Sequence, residues 1–451
     1  MFEQGIPVWF SREVGLRIVG RKGGFNREVD RVYQARMSGQ FMDAGTLRAR
    51  QLGKLVDLLQ SAQADCPYYT DVFRQAGFDP AAMRSVADLA ALPLLSKTDL
   101  LANRDRMVSR RHPVEGMNLN STGGSTGLTV SFYQDRNWLV NQVAGGQFFD
   151  SVAGWRPGCR TAFLWGAPND NEHALAGWTA RLKNTLTNTR LYDSFDMSEA
   201  RMQQYHRQLT RFRPDVMVCY AGSVHLYAKF IHAHKLRVDY PLKSIVTSAE
   251  TLTDDMRETI QSAFGVPVFN RYGSREVGVI GAECEQHAGL HVNELDMVVE
   301  SDAAAGEGGE LLVTNLNNFG MPLIRYRIGD VGQLESAPCR CGRAGSRITR
   351  LFGRSSDFFT AAGGRKIHGE YFTHLFYGVD GIAKFQLVQH TLTSFELKIV
   401  RNPTHWNDGI AAFLRQEMHK VFGDGLDLRI EHVDAIPATA SGKYRFTISH
   451  V

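Results

Sequence analysis

The chain has 451 residues, which is too long for one ordinary hydrophobic core and predicts two or three packed units. Hydrophobic residues make up 43% of it and charged residues 22%, a composition typical of folded globular proteins and unlike that of disordered chains. The 51 basic and 47 acidic residues leave a net charge of +4, which is too balanced to indicate a nucleic-acid or anionic-membrane partner.

The start of the chain and its cysteines favour a cytoplasmic location. Residues 1–7 contain no basic stretch followed by a long apolar run, so no signal peptide is predicted. No apolar run approaches the ~18 residues that a membrane-spanning helix needs. The six cysteines are scattered, unlike the disulfide framework of a small secreted domain. The oligomeric state stays open, with a homodimer as one option.

Hydrophobic periodicity predicts an α/β region in the first part of the chain. Apolar residues at helical spacing indicate a helix over 46–64, a turn over 92–97 leads into a short helix, and 128–133 is typical of a strand. Buried strands are then expected at 214–220, 243–247 and 266–270, and helices between them at 223–236 and 252–264. This alternation predicts a parallel sheet with helices on its faces.

The pattern changes after about residue 290. Antiparallel strands of a β-rich unit are expected over 290–300 and 309–315, and a small α+β segment begins at about Gly353. In that segment we expect strands at 385–389, 394–400 and 426–433, and a helix at about 407–422 that buries Ile410, Phe413, Leu414 and Val421. We therefore predict a large N-terminal domain over 1–352 and a small C-terminal domain over 353–451.

One run made only of glycine, serine and threonine is a candidate phosphate loop. Its members are Ser121, Thr122, Gly123, Gly124, Ser125, Thr126 and Gly127. Backbone N–H groups of such a loop can form an anion-binding nest, and the hydroxyls add donors. A Walker-type loop is excluded because Leu128 and Thr129 follow, and no convincing G-x-G-x-x-G run indicates a dinucleotide fold. The run by itself is also compatible with a plain flexible loop.

Further motifs lie where predicted strands end, which is where ligands bind in open α/β sheets. Ser248–Glu250 ends strand 243–247, and Tyr272–Glu276 lies just past strand 266–270. An aromatic ring and carboxylates there suit a nucleotide base and a metal ion. Asp330 follows an expected β-turn and suits a ribose diol, and Lys443 lies in a loop opened by Gly442. Taken singly, these residues also fit a packed aromatic, a turn former and a solvated cation.

Together and in this order, the motifs resemble the adenylate-forming superfamily of acyl-CoA synthetases, in particular the phenylacetate–CoA ligase branch with its CapK-like and coenzyme F390 synthetase-like members. The resemblance extends from about Leu47 to the Lys443 loop and is strongest over 243–276 and 321–330. It implies an α/β fold whose large N-terminal domain has parallel α/β subdomains and a β-rich subdomain. A small, mobile α+β C-terminal domain would follow. It also implies ATP, Mg²⁺ and CoA.

The resemblance implies a role for each motif. The glycine-rich loop would hold the ATP phosphates, Glu276 would carry Mg²⁺, and Lys443 would bridge the substrate carboxylate and the α-phosphate. Asp330, helped by Arg354, would bind the ribose hydroxyls. The residues around the adenine would be Ser248, Ala249, Glu250, Tyr272 and Gly273. From the neighbourhood of the motifs, the pocket for the acid should draw on Trp165, Tyr220, Ala221, Gly222 and Ser223. Its two aromatic residues favour a flat or aromatic acid and equally fit a core role.

Two positions depart from the family pattern. Ser356 stands where the Gly-Arg-x-Asp-Asp motif has its first Asp, a usual hinge residue, so the family pattern does not define how the small domain would move between the two half-reactions. Arg275 stands where the Tyr-Gly-x-Thr-Glu motif has Thr, and this cation would either tune the phosphate or metal end or exclude a normal substrate.

A second candidate site is a set of cysteines and a histidine: Cys284, His291, Cys339 and Cys341. Three cysteines and one histidine are a usual ligand set of closed, tetrahedral Zn²⁺ sites, and the spacing resembles members of the same branch. His287 is an alternative fourth ligand. Reduced thiols without a metal are an equally weighted alternative, because Cys-x-Cys is tighter than common ligand spacing.

We interpret the chain as an ATP-dependent, AMP-forming carboxylate ligase. The first step would make acyl-AMP and pyrophosphate from a small carboxylic acid, and the second would give the acyl group to CoA. An amine, hydroxyl or sugar acceptor in polysaccharide or secondary-metabolite biosynthesis is the first alternative. A nucleotide-binding protein without turnover is the second.

Overall fold

The computed structural model of the chain divides into two units. The described residues are 5–15, 25–121, 130–166, 177–194, 196–303, 307–354, 358–361, 365–368, 370–377, 379, 381–403, 405–423, 425–436 and 447–451. The first unit consists of Met1–Thr122, Thr129–Ile328 and Gly332–Leu351, and the second of Gly123–Leu128, Gly329–Val331 and Phe352–Val451.

The first unit contains helices of eight residues or more and several shorter turns. The helices are α1 (Phe25–Gly39), α2 (Ala44–Asp65), α3 (Pro67–Ala76), α4 (Lys97–Met107), α5 (Arg136–Val152), α6 (Gly177–Leu186), α7 (Glu199–Phe212), α8 (Ala221–Ala233) and α9 (Asp254–Phe264). Shorter helical turns lie at Val8–Phe10, Ser11–Gly15, Pro80–Ala82, Val86–Ala91 and Val114–Gly116. No described helix is long and apolar enough to cross a bilayer.

Helix ends follow local capping chemistry. The carboxylate of Asp43 accepts the N–H of Thr46 at 2.9 Å and begins α2, which confirms the helix expected over 46–64. Ser96 begins α4 through a capping box. Thr253 caps α9, so this helix starts later than expected, and Gly265 ends it with a φ of 68°.

Most strands of the first unit form one continuous sheet. Its strands are β3 (Thr161–Trp165), β4 (Thr189–Asp193), β5 (Val216–Tyr220), β6 (Ser244–Ser248), β7 (Val268–Ser274), β8 (Gly278–Glu283), β9 (Leu290–Val292), β10 (Met297–Ser301), β11 (Gly308–Asn315), β12 (Tyr326–Glu335) and β13 (Arg347–Arg354). Their order across the sheet is β10-β11-β12-β13-β9-β8-β7-β6-β5-β3-β4. A separate hairpin pairs β1 (Asn118–Ser121) with β2 (Ser131–Gln134), which begins later than the strand expected over 128–133.

Strand β7 joins the two halves of the large sheet. It pairs parallel with β6 and antiparallel with β8. The strands β4, β3, β5, β6 and β7 form the parallel half, as predicted from the strand–helix alternation. The β-rich region is therefore a continuation of the same sheet, with antiparallel pairs such as β10 with β11.

The parallel half is buried on both faces, which explains its short apolar strands. Met217 and Ile245 pack on one face with residues of α7, α8 and α9, among them Ile260. Val218 and Val246 point to the opposite face, where Trp165 packs against their cluster. Side chains alternate along a strand, so Tyr220 and Ser248, two residues further on, belong to this second face.

The second unit is a small α+β domain. Its described strands are β14 (Phe358–Thr360), β15 (Lys366–His368), β16 (Ile382–Gln389), β17 (Ser394–Arg401), β18 (Asp427–His432) and β19 (Thr447–Ser449), and its helices are α10 (Glu370–Tyr377) and α11 (Asp408–Phe422). Four strands form a sheet in the order β18-β17-β16-β19. The expected strands and helix are confirmed, but Phe413 is 40% exposed, so the prediction that it is buried was wrong.

Candidate active site and metal centre

Three expected ligand-binding residues are the last residues of neighbouring parallel strands. Trp165 ends β3, Tyr220 ends β5 and Ser248 ends β6. Tyr220 and Ser248 are paired in register, and the rings of Trp165 and Tyr220 meet edge to face with centroids 4.5 Å apart. The structure therefore brings the proposed acid pocket and the proposed adenine loop to one edge of the sheet, the carboxyl edge.

The loop after β6 is tied to the start of α8. The Glu250 carboxylate accepts the N–H of Gly222 at 2.7 Å, close to the N-terminal end of that helix. A Cβ at position 222 would lie 2.9 Å from the same carboxylate oxygen, so glycine allows this approach. Ala249, between Ser248 and Glu250, has a φ of 69°, a conformation that non-glycine residues adopt uncommonly. These contacts join the adenine-loop candidates to the pocket candidates Ala221, Gly222 and Ser223.

Tyr272 and Gly273 lie within strand β7, so the expectation that they follow the strand was wrong. Pairing with β8 extends the strand to Ser274, with an irregularity in register between Tyr272 and Gly273. A Cβ on Gly273 would lie 2.4 Å from the carbonyl oxygen of Gly278, so only glycine fits there. The Tyr272 ring is 8% exposed and packs in the largest apolar cluster of the first unit. Its place beside the adenine stays a prediction.

Glu276 lies in the turn between β7 and β8, and its side chain is 6% exposed. Its Oε1 accepts a hydrogen bond of 3.3 Å from the hydroxyl of Tyr326, the first residue of β12. A buried carboxylate needs hydrogen bonds or a cation, because burial disfavours its charge. Carboxylate oxygen is also a ligand that Mg²⁺ prefers, so the chemistry of this residue fits the expected metal.

Asp330 and Arg354 both lie in strands. Asp330 was expected after a β-turn, but β12 passes through it, and Gly329 before it has a φ of 81°. The Asp330 side chain is 8% exposed. Arg354 is the last residue of β13. Their part in ribose binding stays a prediction.

Several expected site residues lie outside the described part of the chain. They are Thr122, Gly123, Gly124, Ser125, Thr126, Gly127, Ser356 and Lys443. Ser121, the first residue of the glycine-rich run, ends β1 and pairs with Ser131 of β2. The run therefore starts at a described β-ladder.

The structure brings Cys284, His291, Cys339 and Cys341 together. Their ligand atoms all lie within 4.8 Å of one another. The Sγ atoms of Cys284 and Cys339 are 3.7 Å apart, and Cys341 Sγ is 3.3 Å from His291 Nε2. In a tetrahedron with Zn–S bonds of about 2.3 Å, two sulfurs are about 3.8 Å apart, so this donor set fits Zn²⁺.

Burial shapes the protonation of this cluster. It raises the pKa of the Cys284 thiol to about 12 and lowers the pKa of His291 to about 4, with help from Arg343 and Arg347 in the latter. Neutral imidazole is the form of histidine that ligates metals. His287, the alternative ligand, instead lies 2.9 Å from a carboxylate oxygen of Glu283 through Nδ1. Among the described residues, the fourth donor of the cluster is thus His291.

Two polar residues near the proposed nucleotide site were missed by the sequence analysis. Gln134 is completely buried at the end of β2, and Tyr326 donates to Glu276. Tyr326 lies inside a stretch that resembles the ligase branch, which is a signal for it. Gln134 is the last residue of an ordinary alternating strand, and no sequence pattern indicated that its amide would be buried.

Comparison with known proteins finds one matching family model and several similar proteins. Residues 359–450 match the family model of the CapK C-terminal domain. The chain is 25% identical over 389 residues to the protein CapK of Staphylococcus aureus, covering 85% of each. It is 28% identical over 331 residues to the phenylacetate-coenzyme A ligase of Thermus thermophilus, covering 70% of this chain and 72% of that one.

The fold recurs in a solved structure. The 2-hydroxyisobutyryl-CoA ligase, crystallised in the postadenylation state with 2-HIB-AMP, superposes with a TM-score of 0.71 and covers 91% of both chains. Sequence identity is 19%, so this likeness shows a common fold.

Proposed function

We propose that the chain, which is similar to CapK and to phenylacetate-coenzyme A ligases, is an adenylate-forming ligase that joins a carboxylic acid to CoA in two steps. In the first step, a carboxylate oxygen attacks the α-phosphorus of ATP, and pyrophosphate leaves. In the second, the CoA thiol attacks the acyl carbon of the adenylate, loses its proton, and AMP leaves. The products are a thioester, AMP and pyrophosphate.

The observation that supports this proposal most is the arrangement at the carboxyl edge of the parallel sheet. Trp165, Tyr220 and Ser248 end adjacent strands, and Glu250 connects the loop after β6 to the start of α8. Open α/β sheets bind ligands beyond this edge. An acid held by the pocket residues would therefore lie beside a nucleotide held by the loop, which is what attack on the α-phosphorus requires.

The charged residues would act on the two anionic reactants. Both the carboxylate and the triphosphate are negative, so their approach needs cations that neutralise them in the transition state. Glu276 would hold Mg²⁺, which supplies electrostatic stabilisation of the phosphates when it is bound. Lys443 would bridge the carboxylate and the α-phosphate, and Asp330 and Arg354 would hold the ribose. The segment 353–451 would be the small domain that carries Lys443.

The acid pocket supports an aromatic or flat acid. Trp165 and Tyr220 present two rings at the edge where the acid would bind, and such rings provide apolar area with defined orientation. The Tyr220 side chain is 6% exposed, so it would form a wall of the pocket and not its entrance. We infer that aromatic acids react faster than aliphatic acids of similar size.

The Cys/His cluster supports a structural zinc site. Four donors of the usual type, three sulfurs and one neutral imidazole nitrogen, have their ligand atoms within 4.8 Å of one another. A closed set of four protein ligands leaves no position for a substrate, so the ion would stabilise the fold around β8, β9 and the turn at 339–341.

Pyrophosphate release tests the proposal directly. The purified chain is incubated with MgATP and a panel of aromatic and aliphatic acids, first without an acceptor and then with CoA. We expect acid-dependent pyrophosphate release and a thioester that appears only with CoA. Reaction with amines, alcohols or sugars in place of CoA would identify the alternative acceptor class. Nucleotide binding without pyrophosphate release for any acid would contradict the enzyme proposal.

A further inference from the structure

Gln134 lies at the base of the glycine-rich hairpin, and its side chain has no solvent exposure. It is the last residue of β2 and pairs with Asn118 of β1. A buried amide is unfavourable unless its donors and acceptor find partners. The hydrogen-bond partners of Gln134 therefore show which parts of the fold its side chain connects.

Its carbonyl oxygen is held by the hairpin itself. Oε1 accepts hydrogen bonds from the side-chain amides of Asn118 and Asn120, each at 3.2 Å. The amide of Asn120 is used twice, because its Oδ1 also accepts the backbone N–H of Ser121 at 2.8 Å. A chain of hydrogen bonds thus leads from Gln134 to the first residue of the glycine-rich run.

Its amide nitrogen leads to the other end of the proposed phosphate site. Nε2 donates to the backbone carbonyl of Arg275 at 2.8 Å. Arg275 directly precedes Glu276, the proposed Mg²⁺ ligand, in the turn between β7 and β8. Val277, on the other side of Glu276, is also fixed, because its backbone carbonyl accepts a hydrogen bond of 2.8 Å from the side-chain amide of Asn315.

We propose that Gln134 is a positioning residue for adenylation, which fixes the glycine-rich hairpin relative to the turn that carries Glu276. This inference rests on the proposed function, in which the hairpin holds the ATP phosphates and Glu276 holds their Mg²⁺. In-line attack on the α-phosphorus requires a fixed distance between the ATP phosphates and the Mg²⁺ ion. A bond network that connects both supports maintains that distance, and misplacement by about 1 Å can cost about 10²-fold in rate.

The test compares two buried glutamines that receive the same substitution. Gln134→Met keeps the length of the side chain and removes the amide. Gln51→Met is the control, because Gln51 of α2 is also buried and also donates through Nε2 to a backbone carbonyl, that of Met297, at 2.9 Å. Each variant is measured by ATP–pyrophosphate exchange, thioester formation from supplied acyl-AMP, binding of MgATP and AMP, and thermal unfolding.

We expect Gln134→Met to slow pyrophosphate exchange by about 10- to 100-fold and to weaken MgATP binding. AMP binding, the KM for the acid and thioester formation from acyl-AMP should stay at wild-type values, because these do not involve the β- and γ-phosphates. Gln51→Met should keep the wild-type exchange rate even where its melting temperature falls. If Gln134→Met does not fold, Asn120→Ala, at a partly exposed position, should show the same pattern with a smaller loss.

The inference is overturned if Gln134→Met keeps the full exchange rate, if it slows both half-reactions equally, or if Gln51→Met loses as much exchange. In these cases the wild-type protein still exchanges pyrophosphate, and the proposed function stands. A wild-type protein that neither exchanges pyrophosphate nor binds nucleotide would contradict the proposed function itself, and this inference with it.

Discussion

The Cys/His cluster and the carboxyl edge of the parallel sheet are two polar sites of the same unit, and they differ in how their polar groups are arranged. In the cluster, four ligand atoms face one another within 4.8 Å. At the sheet edge, polar groups are held by the scaffold: Gly222 donates to Glu250, and Tyr326 donates to Glu276.

This difference indicates what each site holds. A closed set of four donors suits an ion that binds once, during folding, and stays. Polar groups that the protein holds in place by single hydrogen bonds suit substrates that enter, react and leave. Such groups can still interact with a substrate through their other donor and acceptor positions. The first site should therefore control stability and the second should control turnover. The following experiments separate the two.

Loss of the proposed zinc site should have the largest effect on stability. Zinc binding to structural sites is worth on the order of 10 kcal/mol, so Cys341→Ser or a chelator should lower the melting temperature by at least about 5 °C. His287→Ala is the matched control, because this histidine lies outside the cluster. Metal analysis should find about one zinc per chain, as expected for one closed set of four ligands. Metal-free protein with unchanged melting would remove the zinc site from the account.

Lys443→Ala should have the largest effect on turnover. Loss of a key electrostatic contact to the transition state typically costs about 10²-fold or more, and we expect that loss in acyl-AMP formation. Thioester formation from supplied acyl-AMP should be spared. Lys420→Ala is the control, since Lys420 is an exposed lysine of α11 paired with Glu417. An equal loss in both half-reactions would show that Lys443 has no specific role in adenylation.

Glu276→Ala should lower kcat by about 10²-fold and shift the Mg²⁺ dependence to higher concentration, because the metal stabilises charge as pyrophosphate departs. Asp330→Ala is the contrasting variant. A ribose contact exists in both the ground and the transition state, so this change should mainly raise the KM for ATP. Full turnover of Glu276→Ala across a magnesium titration would contradict the assignment.

Gly222→Ala should have the smallest effect. The added Cβ would lie 2.9 Å from the Glu250 carboxylate, whose side chain can move aside. We expect the KM values for the acid and for ATP to rise together by a few fold, because the displaced carboxylate connects both subsites. Steady-state kinetics with each substrate varied in turn measure this. A rise for one substrate alone would mean that the Gly222–Glu250 contact does not couple them.

The parallel strands could be predicted because their signals are local. Short apolar runs over 214–220 and 243–247 correspond to β5 and β6, and Gly265 marked the end of α9. The motif residues at the strand ends could be placed because they lie where these apolar runs end. The same reasoning placed the cysteines and His291 in one candidate set, since their spacing resembled that of the ligase branch.

Other features depend on contacts that no local pattern encodes. Gly273 and Asp330 follow turn-like patterns, yet β7 and β12 continue through them, and Gly273 pairs with Val279 of β8. The buried stripe of α11 consists of Ile410, Leu414, Met418 and Phe422, which leaves Phe413 exposed. The burial of Gln134 depends on Arg275, a residue that is far along the chain, and no local pattern encodes such a contact.

The most direct test of the central claim follows oxygen from the acid into the products. An acid that supports pyrophosphate release is labelled with ¹⁸O in its carboxylate and incubated with MgATP and CoA, and the nucleotides are analysed by mass spectrometry. An acyl-AMP intermediate transfers one labelled oxygen to AMP when the thiol attacks the acyl carbon, so the account predicts labelled AMP and unlabelled pyrophosphate. Label in inorganic phosphate together with ADP, or unlabelled AMP beside a labelled thioester, would contradict it.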